Sequence, residues 1–350
     1  MYKRQPEINL RTLFGKVWYD GYARPDYVWQ STGGTDDFET KFSLYPLVFG
    51  TIKGTAYALL FAVPLAVMAA LYTSQFAHPS VRERVKPAVE VMAALPSVVI
   101  GFIAGLWLAS LVERILVGVL LMFVLLPTLG TAGVLLWRAL PRAAKKVFRP
   151  GTEVVLILPL LVVAVWLSLM LGPSVEGALF GGDFKAWLDA TLGLTYDQRN
   201  CLVVGLAMGF AVIPIIFTIS EDAFSNVPSN LTAASLALGA SRWQTALRVV
   251  LPTASPGVFS AIMVGFGRAV GETMIVLMAT GNTPVLDWSM FNGMRTLSAN
   301  IAVEIPEAPH GDTLYRVLFF SAALLFTMTF TVNTVAEVIR QRLRQKYRAL

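Results

Sequence analysis

Long apolar runs alternate with short polar segments along almost the whole chain. Seven of these runs hold about 20 mostly apolar residues each, enough to cross a hydrocarbon core of roughly 30 Å as a helix. The runs cover residues 44–72, 88–112, 115–137, 152–172, 200–219, 257–280 and 315–339. Because backbone polar groups find no water in lipid, the runs predict seven transmembrane helices. The pattern therefore predicts an all-α polytopic membrane protein.

The composition excludes a soluble protein of this size. Of the 350 residues, 55% are hydrophobic and 14% are charged, whereas a soluble domain carries roughly 25% charged residues. The single cysteine, Cys201, and the two histidines, His78 and His310, exclude a disulfide framework and a thiolate or histidine-rich metal centre. We expect no metal or cofactor to be bound by this chain.

The positions of the charges predict the orientation of the spans. Lysine and arginine dominate segments 73–87 and 138–150 and the carboxyl-terminal tail, whereas acids dominate segments 173–199 and 281–314. The positive-inside rule places the basic segments, including the tail at 341–350, on the cytoplasmic side of the membrane. Because the basic residues mark the ends of spans, the net charge of +6 does not indicate a nucleic-acid partner.

This orientation leaves residues 1–43 outside the cell, although they contain no apolar run that would anchor or export them. Their charges balance, with six basic and six acidic side chains. The simplest hypothesis is that an earlier span is missing and that 1–43 is the end of an external segment.

The internal segment 220–256 is predicted to fold on the cytoplasmic side. Residues 231–238 favour a helix, and Gly239 stands where a helix stop requires a left-handed residue. Ser241 followed by Gln244 is a capping box that starts a second helix. The expected apolar face of that helix consists of Trp243, Ala246, Leu247 and Val250, and Pro252 is expected to end it. The corner is typical either of a docking element for a soluble partner or of an interfacial helix on lipid.

The same segment resembles the cytoplasmic loop motif of ABC importer permeases. The matching residues are Ala234, Gly239, Val249, Leu251 and Pro252. The flanking sequences 235–240, 249–257, 267–273 and 279–284 are similar to the phosphate importer permeases, specifically the subunit usually called C. This resemblance covers about 40–112 and 200–350. Ala233 departs from it, because the family motif usually has glutamate there.

The resemblance implies the transmembrane domain of a type I ABC importer over residues 44–340, with 113–199 as an insertion that adds two spans. It implies that 220–256 docks a cytoplasmic ATPase dimer, which would bind the ATP and Mg²⁺. The docking residues implied are Ala233, Ala234, Gly239, Ser241, Trp243, Leu251 and Pro252. The other implied partners are a second, homologous permease subunit, an external phosphate-binding protein and the lipid bilayer.

Two opposite charges lie in the predicted span 257–280. Arg268 and Glu272 are four residues apart, which in a continuous helix puts them on one face and close enough to pair. One interpretation is a buried ion pair that fixes helix packing, and the other is an arginine that receives phosphate oxygens. The resemblance favours the second, with both residues in the substrate path. Lys53, near the outer end of its span, is expected to extend its ammonium group to the membrane surface.

The chain lacks the sequence that an ATPase requires. Its only Gly-Lys pair, Gly15–Lys16, is followed by valine, so no phosphate-binding P-loop is present. The expected function is therefore that of a transport subunit in an ATP-driven phosphate importer. The alternatives are an adaptor that reports phosphate status through the same ATPase contact, a permease for sulfate or molybdate, and an ion channel.

Overall fold

The computed structural model describes residues 8–19, 21–33, 38–139 and 154–347. These ranges are mostly helical. The helices are α1 (Leu10–Phe14), α2 (Tyr45–Gln75), α3 (Pro79–Ala94), α4 (Ser97–Arg114), α5 (Leu116–Ala139), α6 (Val154–Leu179), α7 (Phe184–Leu192), α8 (Cys201–Ser225), α9 (Ser229–Ala237), α10 (Arg242–Gly271), α11 (Met274–Ala279), α12 (Leu297–Glu304) and α13 (Thr313–Tyr347). Of the basic loop predicted at 138–150, all but the first two residues lie outside the described ranges, and α13 continues through most of the predicted tail.

In the described part of the chain, seven helices are long and apolar enough to cross a membrane, which confirms the predicted number of spans. They are α2, α4, α5, α6, α8, α10 and α13. Four prolines predicted to lie inside spans do so, namely Pro64, Pro127, Pro159 and Pro214. The all-α prediction is confirmed apart from a two-stranded ladder in the amino-terminal segment.

The second span does not begin at residue 88 as predicted. Residues 88–94 belong to α3, which has no buried residue, and the chain then breaks at Leu95. Leu95 is extended because the following Pro96 disfavours the helical conformation. The span is α4, and it contains a widened π-helical turn at Ala104–Leu108. The apolar residues of α3 had extended the predicted run across a helix boundary.

The sixth span was also placed wrongly, at both ends. Helix α10 begins at Arg242 and passes through Pro252, which was expected to end it. A π-helical turn at Ala246–Val250 precedes the proline, and Leu251 donates its N–H to the carbonyl of Ala246. This wider turn accommodates a residue that lacks an N–H. At the other end α10 stops at Gly271, and the predicted remainder of the span forms the separate helix α11.

The central contact of the fold joins α2 to α8 through small residues. The side chains of Ala58, Ala62 and Ala66 on α2 are completely buried. Gly209 of α8 faces this row, and a Cβ atom added there would lie 3.3 Å from the carbonyl oxygen of Ala58. Small residues at these positions let the two backbones approach closely. Helices α2 and α8 therefore form a closely packed pair.

The amino-terminal segment covers one end of the helix bundle. Its strands β1 (Trp29–Gln30) and β2 (Lys41–Phe42) pair antiparallel, with Trp29 opposite Phe42. Both aromatic side chains are buried in a second core with residues of α2, α12 and α13. The segment is thus packed against the beginnings of α2 and α13.

The inserted helices α5 and α6 pack mainly on each other. Gly118 and Gly172 meet at their crossing, where a Cβ atom on Gly172 would lie 3.0 Å from the Gly118 nitrogen. The chain then returns to the domain through α7, where Phe184 packs edge-on against Phe291. Lys185 of α7 also forms an ion pair with Glu113 at 3.0 Å. Helix α7 is therefore one of the places where the insertion contacts the rest of the domain.

Candidate transport and docking sites

The predicted corner is present at residues 229–245, but only its first helix, α9, is short, because the second is the beginning of α10. Gly239 separates α9 from α10 with a φ of 85°, the left-handed conformation expected of it. The Ser241 hydroxyl accepts a hydrogen bond from the Gln244 N–H at 3.2 Å, and the Gln244 side chain accepts one from the Ser241 N–H at 2.8 Å. The capping box is thus confirmed. A hydrogen bond of 2.9 Å between the hydroxyl groups of Ser235 and Thr245 joins the two helices.

The surface of the corner is apolar and exposed. Helix α9 has no buried residue, so Ala233 and Ala234 are both accessible. Leu238, which sequence reasoning did not single out, is 90% exposed, and Trp243 is 55% exposed. The sequence signal that could have identified Leu238 is its position immediately before Gly239, the predicted helix stop. An exposed group of this kind is typical of a protein interface.

Within both the predicted docking residues and the predicted apolar face, some residues are exposed and others are buried or partly buried. Leu251 and Pro252 lie inside α10 and are partly buried, away from the tip of the corner. On the predicted face, Ala246 and Val250 are buried, whereas Trp243 and Leu247 are exposed. The π-helical turn that starts at Ala246 changes the helical register, so the spacing of a regular helix does not hold here.

Arg268 and Glu272 are not paired. Arg268 is in the last turn of α10, but Glu272 lies just beyond the helix with an extended backbone. Its carboxylate accepts a weak bond of 3.4 Å from the N–H of Ile275, at the beginning of α11. No ion pair or hydrogen bond of the Arg268 side chain is found among the described residues. The predicted pairing on one helix face is wrong because the helix ends at Gly271.

Arg268 instead lies exposed on a membrane span of the single chain. A charged side chain facing lipid is costly, so charges in spans face a polar interior, a water-filled path or another protein. A cleft between α10 and α13 adjoins this position and is lined by Ser260, Met263, Val264, Gly267, Asn333, Ala336, Glu337 and Arg340. The face of α10 that carries Arg268 is therefore suited to a contact other than lipid.

The break after Gly271 is stabilised by α12, which folds back into the protein. The carbonyl of Glu272 accepts a hydrogen bond of 3.0 Å from the hydroxyl of Ser298. Arg295, just before α12, pairs with the nearly buried carboxylate of Glu304. Burial lowers the pKa of the Arg295 guanidinium, and the charge of Glu304 opposes that shift. Part of the segment 281–314, predicted as an external loop, is thus packed inside the molecule.

Lys53 does not reach the surface as expected. Its side chain is completely buried, and its ammonium group has no hydrogen-bond partner among the described atoms. Its neighbours Thr51 and Ile52 line an apolar pocket together with Phe266 and Val270, close to Arg268 along α10. A buried lysine in a span is a functional candidate. From the sequence, only the position of Lys53 near one end of its predicted span is known. A lysine at such a position is expected to extend its ammonium group to the membrane surface.

Comparison with known protein families identifies the family of this chain. Residues 130–349 match the family described as "Binding-protein-dependent transport system inner membrane component", which covers more than half of the chain. The chain belongs to this family. The chain has seven candidate spans, and its family is one of inner-membrane components of transport systems. It is therefore a membrane protein of the transport type that its loop motif predicts.

Curated relatives confirm the resemblance to phosphate importer permeases. The chain is 28% identical over 304 residues to "Phosphate transport system permease protein PstC" of Mesorhizobium japonicum, covering 87% of this chain and 75% of that protein. It is 36% identical over 169 residues to "Phosphate transport system permease protein PstA 1" of Mycobacterium tuberculosis strain H37Rv, covering 48% of this chain and 52% of that protein. Both relatives are permease proteins by name, and the match to the first covers most of this chain.

Among solved structures, the chain is similar to one from the MetNI methionine ABC transporter in an inward-facing conformation. The identity is 15%, the TM-score is 0.44, and the match covers 86% of this chain and 94% of the other.

Proposed function

We propose that this family member is the membrane permease subunit of an ATP-driven phosphate importer in a bacterial inner membrane. The observation that carries the proposal is Arg268, an exposed arginine on a span that has no ion-pair partner among the described residues. The planar guanidinium offers paired donors to two oxygens of one anion, which suits phosphate. Glu272 lies one turn further on, outside the helix, and belongs to the same path.

A second permease subunit completes this path. In the single chain the Arg268 face would contact lipid, and a homologous subunit placed against it would convert that face into the wall of a polar channel. The relatives named PstC and PstA 1 support two related subunits, because the chain resembles both kinds. The path opens alternately to the two sides of the membrane when the two subunits move against each other.

The corner at 229–245 docks a cytoplasmic ATPase dimer, and the carboxyl terminus is on the same side of the membrane. Its exposed Leu238 and Trp243 provide the apolar contact, and the left-handed Gly239 fixes the angle between the two helices. The chain itself is not an enzyme, and ATP and Mg²⁺ are bound by the partner ATPase. An external binding protein delivers phosphate to the opposite side, and the binding-protein dependence named in the family description supports this partner.

Reconstitution tests this function directly. The chain, its partner permease, the ATPase and the phosphate-binding protein are incorporated into proteoliposomes, and uptake of labelled phosphate is measured with and without internal ATP. We expect ATP-dependent uptake that excess sulfate or molybdate does not inhibit. Inhibition by either anion would assign a different oxyanion. ATPase docking with phosphate binding but no uptake would contradict the permease function and support a phosphate-reporting adaptor.

A further inference from the structure

The carboxylate of Glu221 is completely enclosed at the end of α8, immediately before the docking corner. Its side chain is 1% exposed, and it accepts contacts from two cations of α3, Arg82 at 2.6 Å and Lys86 at 2.7 Å. The hydroxyl of Ser225 donates to the same carboxylate at 3.0 Å, and Arg82 also donates to that hydroxyl at 2.9 Å. The transport path and the docking surface described above do not use this cluster.

Helix α3 depends on this cluster for its position. None of its residues is buried, and only Val85 and Val89 pack partly against the core. It follows α2 directly, since only three residues separate Gln75 from Pro79. Ion pairs between exposed side chains contribute little, but a carboxylate that is fully enclosed requires its partners. The charges of Arg82 and Lys86 therefore hold α3 against the end of α8.

Other contacts bring the end of α2 to the same point. The Gln75 side chain donates to the carbonyl of Phe224 at 3.4 Å, next to the cluster. The ring of Phe76 lies 5.9 Å from the ring of Trp243, in the docking corner itself. The ends of α2 and α8, helix α3 and the docking corner thus meet around one buried carboxylate.

We propose that Glu221 is a positioning residue that couples the docking corner to the α2–α8 pair. The proposal rests on the function proposed above. When the ATPase moves the corner, the ion cluster makes α3 and the ends of α2 and α8 follow as one body. Because α2 and α8 are packed closely along their small residues, the movement is transmitted into the membrane rather than absorbed by a loose helix α3.

The chain offers a matched control for this residue. Asp222 is the next residue and also an acid, but its side chain is 61% exposed and lies 3.9 Å from Lys86. Glu221→Gln and Asp222→Asn each remove one negative charge and retain the shape of the side chain. For Glu221→Gln we expect the ATPase to co-purify normally and to hydrolyse ATP within twofold of the wild-type rate. The phosphate transported per ATP should fall at least tenfold, whereas Asp222→Asn should change neither quantity by more than twofold.

The partner cations provide an independent variant. Arg82→Gln with Lys86→Gln should reproduce the loss of coupling, and adding Glu221→Gln should cause no further loss, because all three changes remove one interaction. A merely structural role would instead lower the membrane abundance of the protein and leave phosphate per ATP unchanged. Lower membrane abundance with unchanged phosphate transported per ATP would overturn the proposal. So would a ratio of phosphate to ATP within twofold of wild type in Glu221→Gln.

A distance measurement separates this inference from the transport function. Spin labels are placed on cysteines at the exposed positions Arg84 and Asn230, in a Cys201→Ala background, in the complex with its ATPase. We expect one narrow distance distribution that a non-hydrolysable ATP analogue leaves unchanged, and a broadened one in Glu221→Gln. Identical distributions in the wild type and in Glu221→Gln would refute the positioning role of Glu221 even if the wild type took up phosphate normally. Absence of phosphate uptake in the wild type, with the distances as expected, would refute only the proposed substrate.

Discussion

At the end that meets the corner, α10 begins with a side-chain cap, and at its other end it stops at Gly271 without one. The cap is local, since Ser241 and Gln244 are three residues apart and bond each other's backbone. The break after Gly271 is stabilised from a distance, because the carbonyl of Glu272 accepts a hydrogen bond from Ser298, 26 residues further along the chain. One helix thus joins an exposed apolar corner to a polar break inside the bundle.

The difference between these ends separates two tasks. The corner has a fixed angle and an exposed apolar surface, which suits a contact that must persist while the partner moves. The break interrupts a span, and Arg268 has no partner in the part of the chain that the structure describes, which suits contact with a transient anion. Changes at the corner should therefore affect ATPase docking, and changes near the break should affect phosphate flux in an assembled complex.

The largest effect is expected at Arg268. Arg268→Lys retains the charge but loses the paired donors, and a hydrogen bond to a charged group is worth about 1.5–3 kcal/mol. Phosphate uptake should therefore fall by about tenfold to a hundredfold at equal membrane abundance. Arg114→Lys, at an exposed position on α4, is the control and should retain uptake.

A double variant distinguishes the two interpretations of the membrane charges. Since Arg268 and Glu272 do not pair with each other in the structure, Arg268→Gln with Glu272→Gln should assemble normally and transport no phosphate. A structural ion pair would instead predict recovery of transport when both charges are removed together. Near-normal ATP-dependent uptake by the double variant would contradict the assignment of Arg268 to the substrate path.

The second effect is on docking. Gly239→Val places a β-branched residue in a left-handed conformation, at a cost of about 1–2 kcal/mol. No atom lies within 4 Å of the added Cβ, so the effect is conformational rather than steric. We expect co-purification of the ATPase to weaken about tenfold, with phosphate binding by the external protein unchanged.

Gly177→Val is the control for this change. Gly177 also has open space around an added Cβ, but its φ is negative, so valine fits its backbone. Wild-type ATPase recovery with Gly239→Val would show that the angle at Gly239 is not required for docking.

The two ends of α10 also show how far the sequence predicts this structure. The number of spans, Gly239 and the capping box were predicted correctly, because hydropathy and capping depend on residues close together in the chain. The break at Gly271, the burial of Lys53 and the cluster around Glu221 were not, because they depend on distant partners. Arg82 and Ser225, for example, are 143 residues apart. Nothing near Glu221 in the sequence distinguishes it from Asp222.

The third prediction concerns the break. Ser298→Ala removes the hydrogen bond to the carbonyl of Glu272, which should lower the free energy of unfolding by about 1 kcal/mol. Ser321→Ala is a matched control, since that buried hydroxyl bonds only within its own helix, to the carbonyl of Val317. Thermal unfolding in detergent should show a lower midpoint for Ser298→Ala than for Ser321→Ala. Equal midpoints would mean that the break does not depend on this bond.

The smallest effect is expected from the cap itself. Ser241→Ala removes the acceptor for the Gln244 N–H, and an exposed cap of this kind contributes about 0.5 kcal/mol. Ser229→Ala is the control, because Ser229 lies in the same corner at the start of α9, where no side-chain cap bond forms. Since Gly239 still fixes the angle, ATPase recovery should fall by about twofold with Ser241→Ala, less than with Gly239→Val. A loss as large as that of Gly239→Val would place the control of docking in the cap rather than in the left-handed glycine. Titration of the purified permease with the ATPase subunit, performed for all three variants at equal protein concentration, measures these differences.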